Sequence, residues 1–314
     1  MSVPSKHTYE RVAVIGGGVI GVSWTALFLA HGLEVVVSDP MPDIDSRVMK
    51  QLAVIRPTLD ELGFDTSRLT DRLRFEPDIA KAVADADVVQ ENGPERMDLK
   101  QQIWATIEKA APAHTLFATS TSSLPATEIA TALQHPERLI VGHPFNPPHL
   151  VPLVEIVPGE RTAPATVDAA VAFYRSLGKR PQVLRKEIQG FVANRLQSAL
   201  FRECVYLVAQ GVVTEAELDE VVTSSIGMRW AVAGPFRTFH LGGGPGGLAA
   251  FLTHLGPTME AIWPLLGSPT FDDATVAVLA DQAKDLGEDI AQLAETRDRS
   301  QIALMKALHE LPRG

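Results

Sequence analysis

From Val12 to Ala30 the chain carries no formal charge, and four glycines interrupt that run inside GGGVIG, residues 16–21. An uncharged stretch of this length after Lys6 and Arg11 mimics a signal peptide or a short membrane span. The glycines point elsewhere. RVAVIG before them is short, apolar and β-branched, as a buried parallel strand is. VSWTALFLAHG after them suits a helix ending at Gly32, and LEVVVSD suits a second strand. The glycines therefore stand where a strand turns into a helix within a β-α-β unit.

In that context each glycine has a task. Gly16 permits the tight turn, Gly18 lets a pyrophosphate approach the backbone, and Gly21 lets the helix pack on the strand. The helix start offers unpaired N–H groups and a positive dipole end. Asp39 closes the second strand. An acid there accepts hydrogen bonds from the adenine ribose hydroxyls and repels a 2′-phosphate, so NAD is the expected dinucleotide.

Further strands are expected at DRLRFEPD, ADVVQENG, TLFATSTSS, RLIVGHPFN, LVEIVPG and PQVLRK, with helices such as MDLKQQIWATIEKA between them. That alternation implies an α/β fold with a doubly wound, mostly parallel sheet. Strand signals fade after residue 187. We expect a Rossmann domain over 1–187 and an all-helical domain over 188–314.

The formal net charge of −10 opposes nonspecific binding to nucleic acid or anionic membrane. A single cysteine, Cys204, excludes an intrachain disulfide and a multi-cysteine zinc site, and fits a reduced cytoplasm. Its setting, RLQSALFRECVYLVAQ, reads as a buried helix.

A second cluster bears on chemistry. ATSTSSLP and GHPFNP each follow a strand, and LVEI lies a little further on. Ligands in such folds bind beyond the carboxyl ends of the strands. His143, Asn146 and Ser122–Ser123 could converge there, with Glu155 behind the histidine. Oxidising a secondary alcohol without metal needs a base near neutral pH, which histidine supplies. A carboxylate on its other nitrogen fixes the tautomer and stabilises the imidazolium. Singly, each residue has a plainer use: Ser122 or Ser123 as a cap for the helix near LPATEIA, His143 as a structural histidine, Glu155 as a solvent-facing strand residue.

AVIGGGVIG, VVVSD, ENGPERMDLK, ATSTSSL, VGHPFNPP, PLVEIV and GFVANRL together resemble the 3-hydroxyacyl-CoA dehydrogenase family over nearly the whole chain. The resemblance implies an N-terminal Rossmann domain and a helical C-terminal domain that contributes to the substrate cleft and to a homodimer. It places the catalytic pair on His143 and Glu155 and the substrate-orienting residues on Ser122 and Asn194. NAD contacts fall on Asp39, Glu91, Glu95, Lys100 and Asn146, joined by Ser120 and by Val19 and Ile20 of the turn itself.

Members acting on acyl-CoA carry a lysine-rich hairpin after the second strand. Here residues 40–71 hold Arg47, Lys50, Arg56 and Arg68 against Asp43, Asp45, Asp60, Glu61, Asp65 and Asp71. That is a poor cradle for CoA phosphates. GMRWAVAGPFRTFHLGGGPGGL instead resembles the branch acting on small free 3-hydroxy acids, carnitine and gulonate among them. Trp230, Phe236 and Phe239 either form a cage for a quaternary ammonium or pack in the helical core, the commoner use of such residues. Arg229 or Arg237 could hold a substrate carboxylate bidentately or lie solvated at the surface, and Ser123 is a further candidate substrate contact. HLGGGPGG lacks the lysine and hydroxyl residue of a P-loop. The expected activity is NAD-dependent oxidation of an L-3-hydroxy acid. The rivals are a true 3-hydroxyacyl-CoA dehydrogenase and a non-catalytic NAD(H)-binding protein.

Overall fold

β1 (Arg11–Ile15) and β2 (Glu34–Ser38) are each exposed at the first residue and buried at the next four. Strands covered on both faces need apolar side chains at consecutive positions, which RVAVI and EVVVS supply. The computed structural model describes residues 9–287 and 289–310. The chain divides after Val192 into two compact units.

The first unit holds one eight-stranded sheet, in the order β3-β2-β1-β4-β5-β6-β7-β8. The remaining strands are β3 (Leu73–Phe75), β4 (Val88–Glu91), β5 (Leu116–Thr119), β6 (Leu139–Pro144), β7 (Leu153–Pro158) and β8 (Arg180–Val183). β1 to β6 run parallel, β7 is antiparallel to β6, and β8 is parallel to β7. Its helices are α1 (Val19–Ala30), α2 (Ile44–Glu61), α3 (Ile79–Ala82), α4 (Met97–Ala110), α5 (Ala126–Ile129) and α6 (Pro164–Ser176). The strand order reverses at β1 and β4, where such sheets open a ligand crevice.

α1 is the element that mimics a membrane span. It is buried from Gly21 to Leu29, on every face, because it is covered by the sheet, α2 and α6. Trp24 stacks on Phe28, with ring centroids 5.4 Å apart, and meets Tyr174 of α6 at 5.5 Å. Among the described residues no helix is long and apolar enough to cross a membrane.

The second unit is helical: α7 (Ala193–Ala209), α8 (Glu215–Val222), α9 (Met228–Val232), α10 (Pro235–Gly242), α11 (Gly247–Ile262), α12 (Asp273–Gln282) and α13 (Ile290–Glu310). A π-helical turn, Thr223–Gly227, joins α8 to α9. α7, α8 and α12 surround an apolar groove of about 650 Å³, lined by Leu200, Phe201, Cys204, Leu218, Phe271 and Leu279. Cys204 is half-buried rather than fully buried.

Candidate active site

The dinucleotide turn has the geometry its glycines imply. Gly16 has φ +95°, and a Cβ there would lie 2.8 Å from the Asn92 carbonyl. A Cβ on Gly21 would stand 1.9 Å from the Gly16 carbonyl oxygen, so α1 approaches the strand end only without one. Around Gly18 there is nothing within 4 Å of a built Cβ. Gly18 is the N-cap of α1 and caps it with no side chain. That open, donor-rich cradle fits a pyrophosphate. Val19 and Ile20 open α1 beside it, Val19 being strongly exposed. Asp39 is held at the end of β2 by two backbone donors: Gly17 N–H at 2.8 Å and Met41 N–H at 2.9 Å. Each carboxylate oxygen keeps a lone pair for a ribose hydroxyl.

Beyond β4 and β5 the structure brings together five of the expected residues. Lys100 of α4 is buried and bonds both oxygens of buried Glu91, at 2.8 and 3.0 Å. The same ammonium reaches the Gly93 carbonyl at 3.1 Å and lies 3.6 Å from Glu95. Glu95 Oε1 accepts from the Thr121 hydroxyl at 2.5 Å, from Ser122 N–H and Ser123 N–H at 2.9 Å each, and from the Ser123 hydroxyl at 3.0 Å. Burial pushes the Glu95 carboxyl up, but the Thr121 hydroxyl, the Lys100 ammonium and Ser123 outweigh it and hold the group below the usual range. The serine loop is thus folded around a carboxylate. Neither serine caps α5, whose N-cap is Pro125. Ser122 is left with an exposed side chain.

Ser120 is the centre of a polar network that sequence reasoning missed. Its hydroxyl accepts from Trp24 Nε1 at 3.1 Å and Gln90 Nε2 at 2.9 Å, and donates to Asn92 at 2.7 Å. Tyr174, buried beneath and with its phenol pushed up by that burial, donates to Gln90 at 2.7 Å. The chain positions of these residues are too far apart to show as a motif.

The dyad lies on β6 and β7. His143 stands directly opposite Glu155 in the antiparallel register, and its Nδ1 is 2.9 Å from Glu155 Oε2. Both side chains are buried, at 6% and 2% exposure, so Glu155 does not face solvent. Facing the carboxylate, Nδ1 carries the hydrogen and Nε2 remains the free base. The loop after β6 carries exposed Asn146, then returns to β7 under two staples. His149 N–H and Nδ1 both meet Ser23 Oγ, at 2.9 and 2.8 Å. Buried Lys179 donates to the Pro148 and Val151 carbonyls. Burial pulls the Lys179 ammonium down to about 7.

Asn194, Arg229, Trp230 and Phe236 belong to the second unit. Asn194 begins α7 and is half-buried, and Arg229 on α9 is exposed. Trp230 and Phe236 are 41% and 77% exposed, so the expectation that they fill the helical core is not met; short α9 and α10 present them outward. Phe239 differs, stacking on Phe251 at 4.7 Å.

A secondary alcohol beside a free imidazole nitrogen can lose its hydroxyl proton to it, and a dinucleotide held by the glycine turn of the same sheet would accept the hydride. The chain is an NAD-dependent oxidoreductase acting on a CH–OH group. Comparisons with known proteins agree and narrow the class. Residues 11–188 match the model of the 3-hydroxyacyl-CoA dehydrogenase NAD-binding domain, and residues 190–267 match that of the C-terminal domain. L-carnitine dehydrogenase of Streptomyces griseus is 47% identical over 97% of this chain and 91% of its own. The Pseudomonas putida enzyme of that name is 41% identical over 98% and 96%. Among solved structures, a 5-formyl-3-hydroxy-2-methylpyridine 4-carboxylic acid 5-dehydrogenase, described as an NAD+-dependent dismutase, superposes with a TM-score of 0.78. It is 31% identical, over 97% of this chain and all of that one. The chain belongs to the 3-hydroxyacyl-CoA dehydrogenase family, and its reaction is that of an NAD-dependent 3-hydroxy acid dehydrogenase.

Proposed function

We propose that the preferred substrate is a small free L-3-hydroxy acid of the carnitine type, bearing a quaternary ammonium. The observation that carries this is the near-full-length identity, 40% or more, to relatives named L-carnitine dehydrogenase. The segment after β2 supports it. Arg47 is paired with Asp43 at 2.9 Å, Arg68 with Asp71 at 2.5 Å, and Arg56 donates to Thr66. Cations already engaged with local partners make a weak CoA-phosphate cradle. Exposed Trp230 and Phe236 suit a quaternary ammonium, and exposed Arg229 suits a carboxylate.

In this reading His143 Nε2 takes the hydroxyl proton, and Glu155 orients the ring and stabilises the imidazolium. Ser122 holds the substrate oxygen as its charge develops, and Asn194 of the second unit is assigned a substrate-orienting role by the family resemblance. Gly16, Gly18, Val19, Ile20 and Gly21 receive the pyrophosphate, and Asp39 the adenine ribose. Glu95 and Asn146 flank the rest of the cofactor, with the Lys100–Glu91 pair beneath Glu95 and Ser120 in the network beside it. What NAD+ supplies when bound is the hydride acceptor.

The test is initial rates of NADH formation on carnitine, L-gulonate, L-3-hydroxybutyrate and its CoA thioester. The highest kcat/KM should fall on carnitine; a thioester preference would sink the free-acid reading, and no turnover at all would point to a binding protein. The second unit also exposes Phe201, Trp263, Leu265 and Phe271. Apolar exposure on this scale supports a homodimer, and the single cysteine fits a reduced cytoplasm. Light scattering should give twice 33.9 kDa, and a monomer would refute it.

A further inference from the structure

The segment that leaves the sheet unit is built into the acid–base pair. While Glu155 Oε2 faces His143, its other oxygen, Oε1, accepts the backbone N–H of Val192 at 2.9 Å. Val192 ends the first unit, and α7 begins at the next residue. One residue earlier, the buried ring of Phe191 lies 5.2 Å from the imidazole, centroid to centroid, inclined by 54°. Phe145 stands edge-on to the same ring at 5.9 Å. The charged group facing the imidazole is Glu155 from β7, and Phe145 and Phe191 wall it.

Phe191 has φ +48°, and among the described residues no other non-glycine residue has a positive φ. Gly190 before it has φ +75°. A bulky side chain holds the left-handed conformation only where its surroundings over-determine it, and such residues cluster at functional sites. An aromatic core position alone needs no such backbone. Here the left-handed pair brings a ring and the next N–H to the two members of one dyad.

We propose that Phe191 is a positioning residue for the hydroxy-acid oxidation: its turn aims the Val192 N–H at Glu155, its ring walls the imidazole, and the dyad is competent only with this connection seated. The proposal rests on His143 and Glu155 being the acid–base pair. The Val192 donor fixes which carboxylate oxygen is left for Nδ1. The ring keeps water from the imidazole, so its loss stabilises the imidazolium.

Phe191→Ala and Phe191→Leu are compared with wild type and His143→Ala, full-length and with NAD+. Phe191→Ala should lower kcat about tenfold or more, since a small misplacement of a catalytic group is costly. The acid limb of the kcat/KM–pH profile should move upward, and the NADH Kd should stay within about twofold, because the dinucleotide cradle is untouched. Phe191→Leu keeps apolar volume, so it carries the test if the alanine variant fails to fold; it should show the same upward movement with a smaller loss. A wild-type kcat and acid limb in Phe191→Leu overturns the proposal, as does an effect confined to thermal unfolding. Turnover retained in His143→Ala overturns the dyad reading and this inference with it. An inactive His143→Ala beside an unaffected Phe191→Leu overturns the inference alone.

Discussion

Replacing Lys100 by methionine should unfold more of this protein than its place on a helix suggests. The ammonium is 1% exposed and faces a carboxylate that is fully buried. At 2.8 Å and an effective dielectric near 20, their attraction is of order 6 kcal/mol. Desolvation of both ions offsets most of that, so the pair as a whole adds little. Removing one member is different: the buried Glu91 carboxyl would lose its cation and keep only Gly93 N–H and the Thr119 hydroxyl, each at 2.6 Å, as hydrogen-bond partners. Breaking such a pair costs about 3–5 kcal/mol. At roughly 2–4 °C per kcal/mol for a unit of this size, the melting temperature should fall by about 6–20 °C. Urea unfolding followed by circular dichroism gives the free energy directly. Adding Glu91→Gln to Lys100→Met removes the stranded carboxyl, and the double variant should recover at least about 2 kcal/mol, the coupling expected of contacting partners. A single variant within about 1 kcal/mol of wild type would refute the argument. So would a double variant no more stable than the single.

Glu155→Gln should lower kcat by about 10²–10⁴-fold, since an amide no longer selects the Nδ1–H tautomer or stabilises the imidazolium; NADH binding, followed by fluorescence, should be nearly unchanged, and a wild-type kcat would remove Glu155 from the mechanism. Lys179 yields a pH effect with a definite sign. Its folded value of about 7 lies below the ordinary 10.5, so between these pH values the unfolded chain holds a proton that the folded chain has lost. Stability from this group therefore rises with pH across that window, by up to roughly 5 kcal/mol. The melting-temperature difference between wild type and Lys179→Met should grow in favour of wild type from neutral to alkaline pH, and a flat difference would contradict the burial account. Gly18→Ala should leave the melting temperature intact, because the space around it is open, yet weaken NADH binding tenfold or more, about 1.4 kcal/mol, by blocking the pyrophosphate. Undiminished affinity would mean that no phosphate approaches there.

β1, β2 and β5 were legible in the sequence because parallel strands buried on both faces must be largely apolar, a pattern local to each segment, whereas β3 and β8, mostly unburied, were legible only as further steps in the strand–helix alternation. The reversal at β7 was not, because strand direction within a sheet is decided by what a strand pairs with. That reversal makes the twelve-residue interval from His143 to Glu155 productive: an antiparallel return sets the two residues side by side. Glu91, Glu95 and Lys100 were legible as a group, but not their pairing, since a carboxylate looks the same in sequence whether it faces solvent or an ammonium. Trp230 and Phe236 misled for a related reason. Aromatic residues on a helix imply a covered face, and nothing local says that these two face outward.

The dinucleotide turn was determined by the sequence alone, because Gly16, Gly18 and Gly21 act through steric space within a few residues of themselves, and Asp39 through the strand that follows. Tertiary structure decided the acid–base site. The Ser120 network, the Lys179 staple and the grip of Phe191 and Val192 on the dyad join residues distant in the chain. Their chemistry exists only once burial has removed the water that would otherwise satisfy each group.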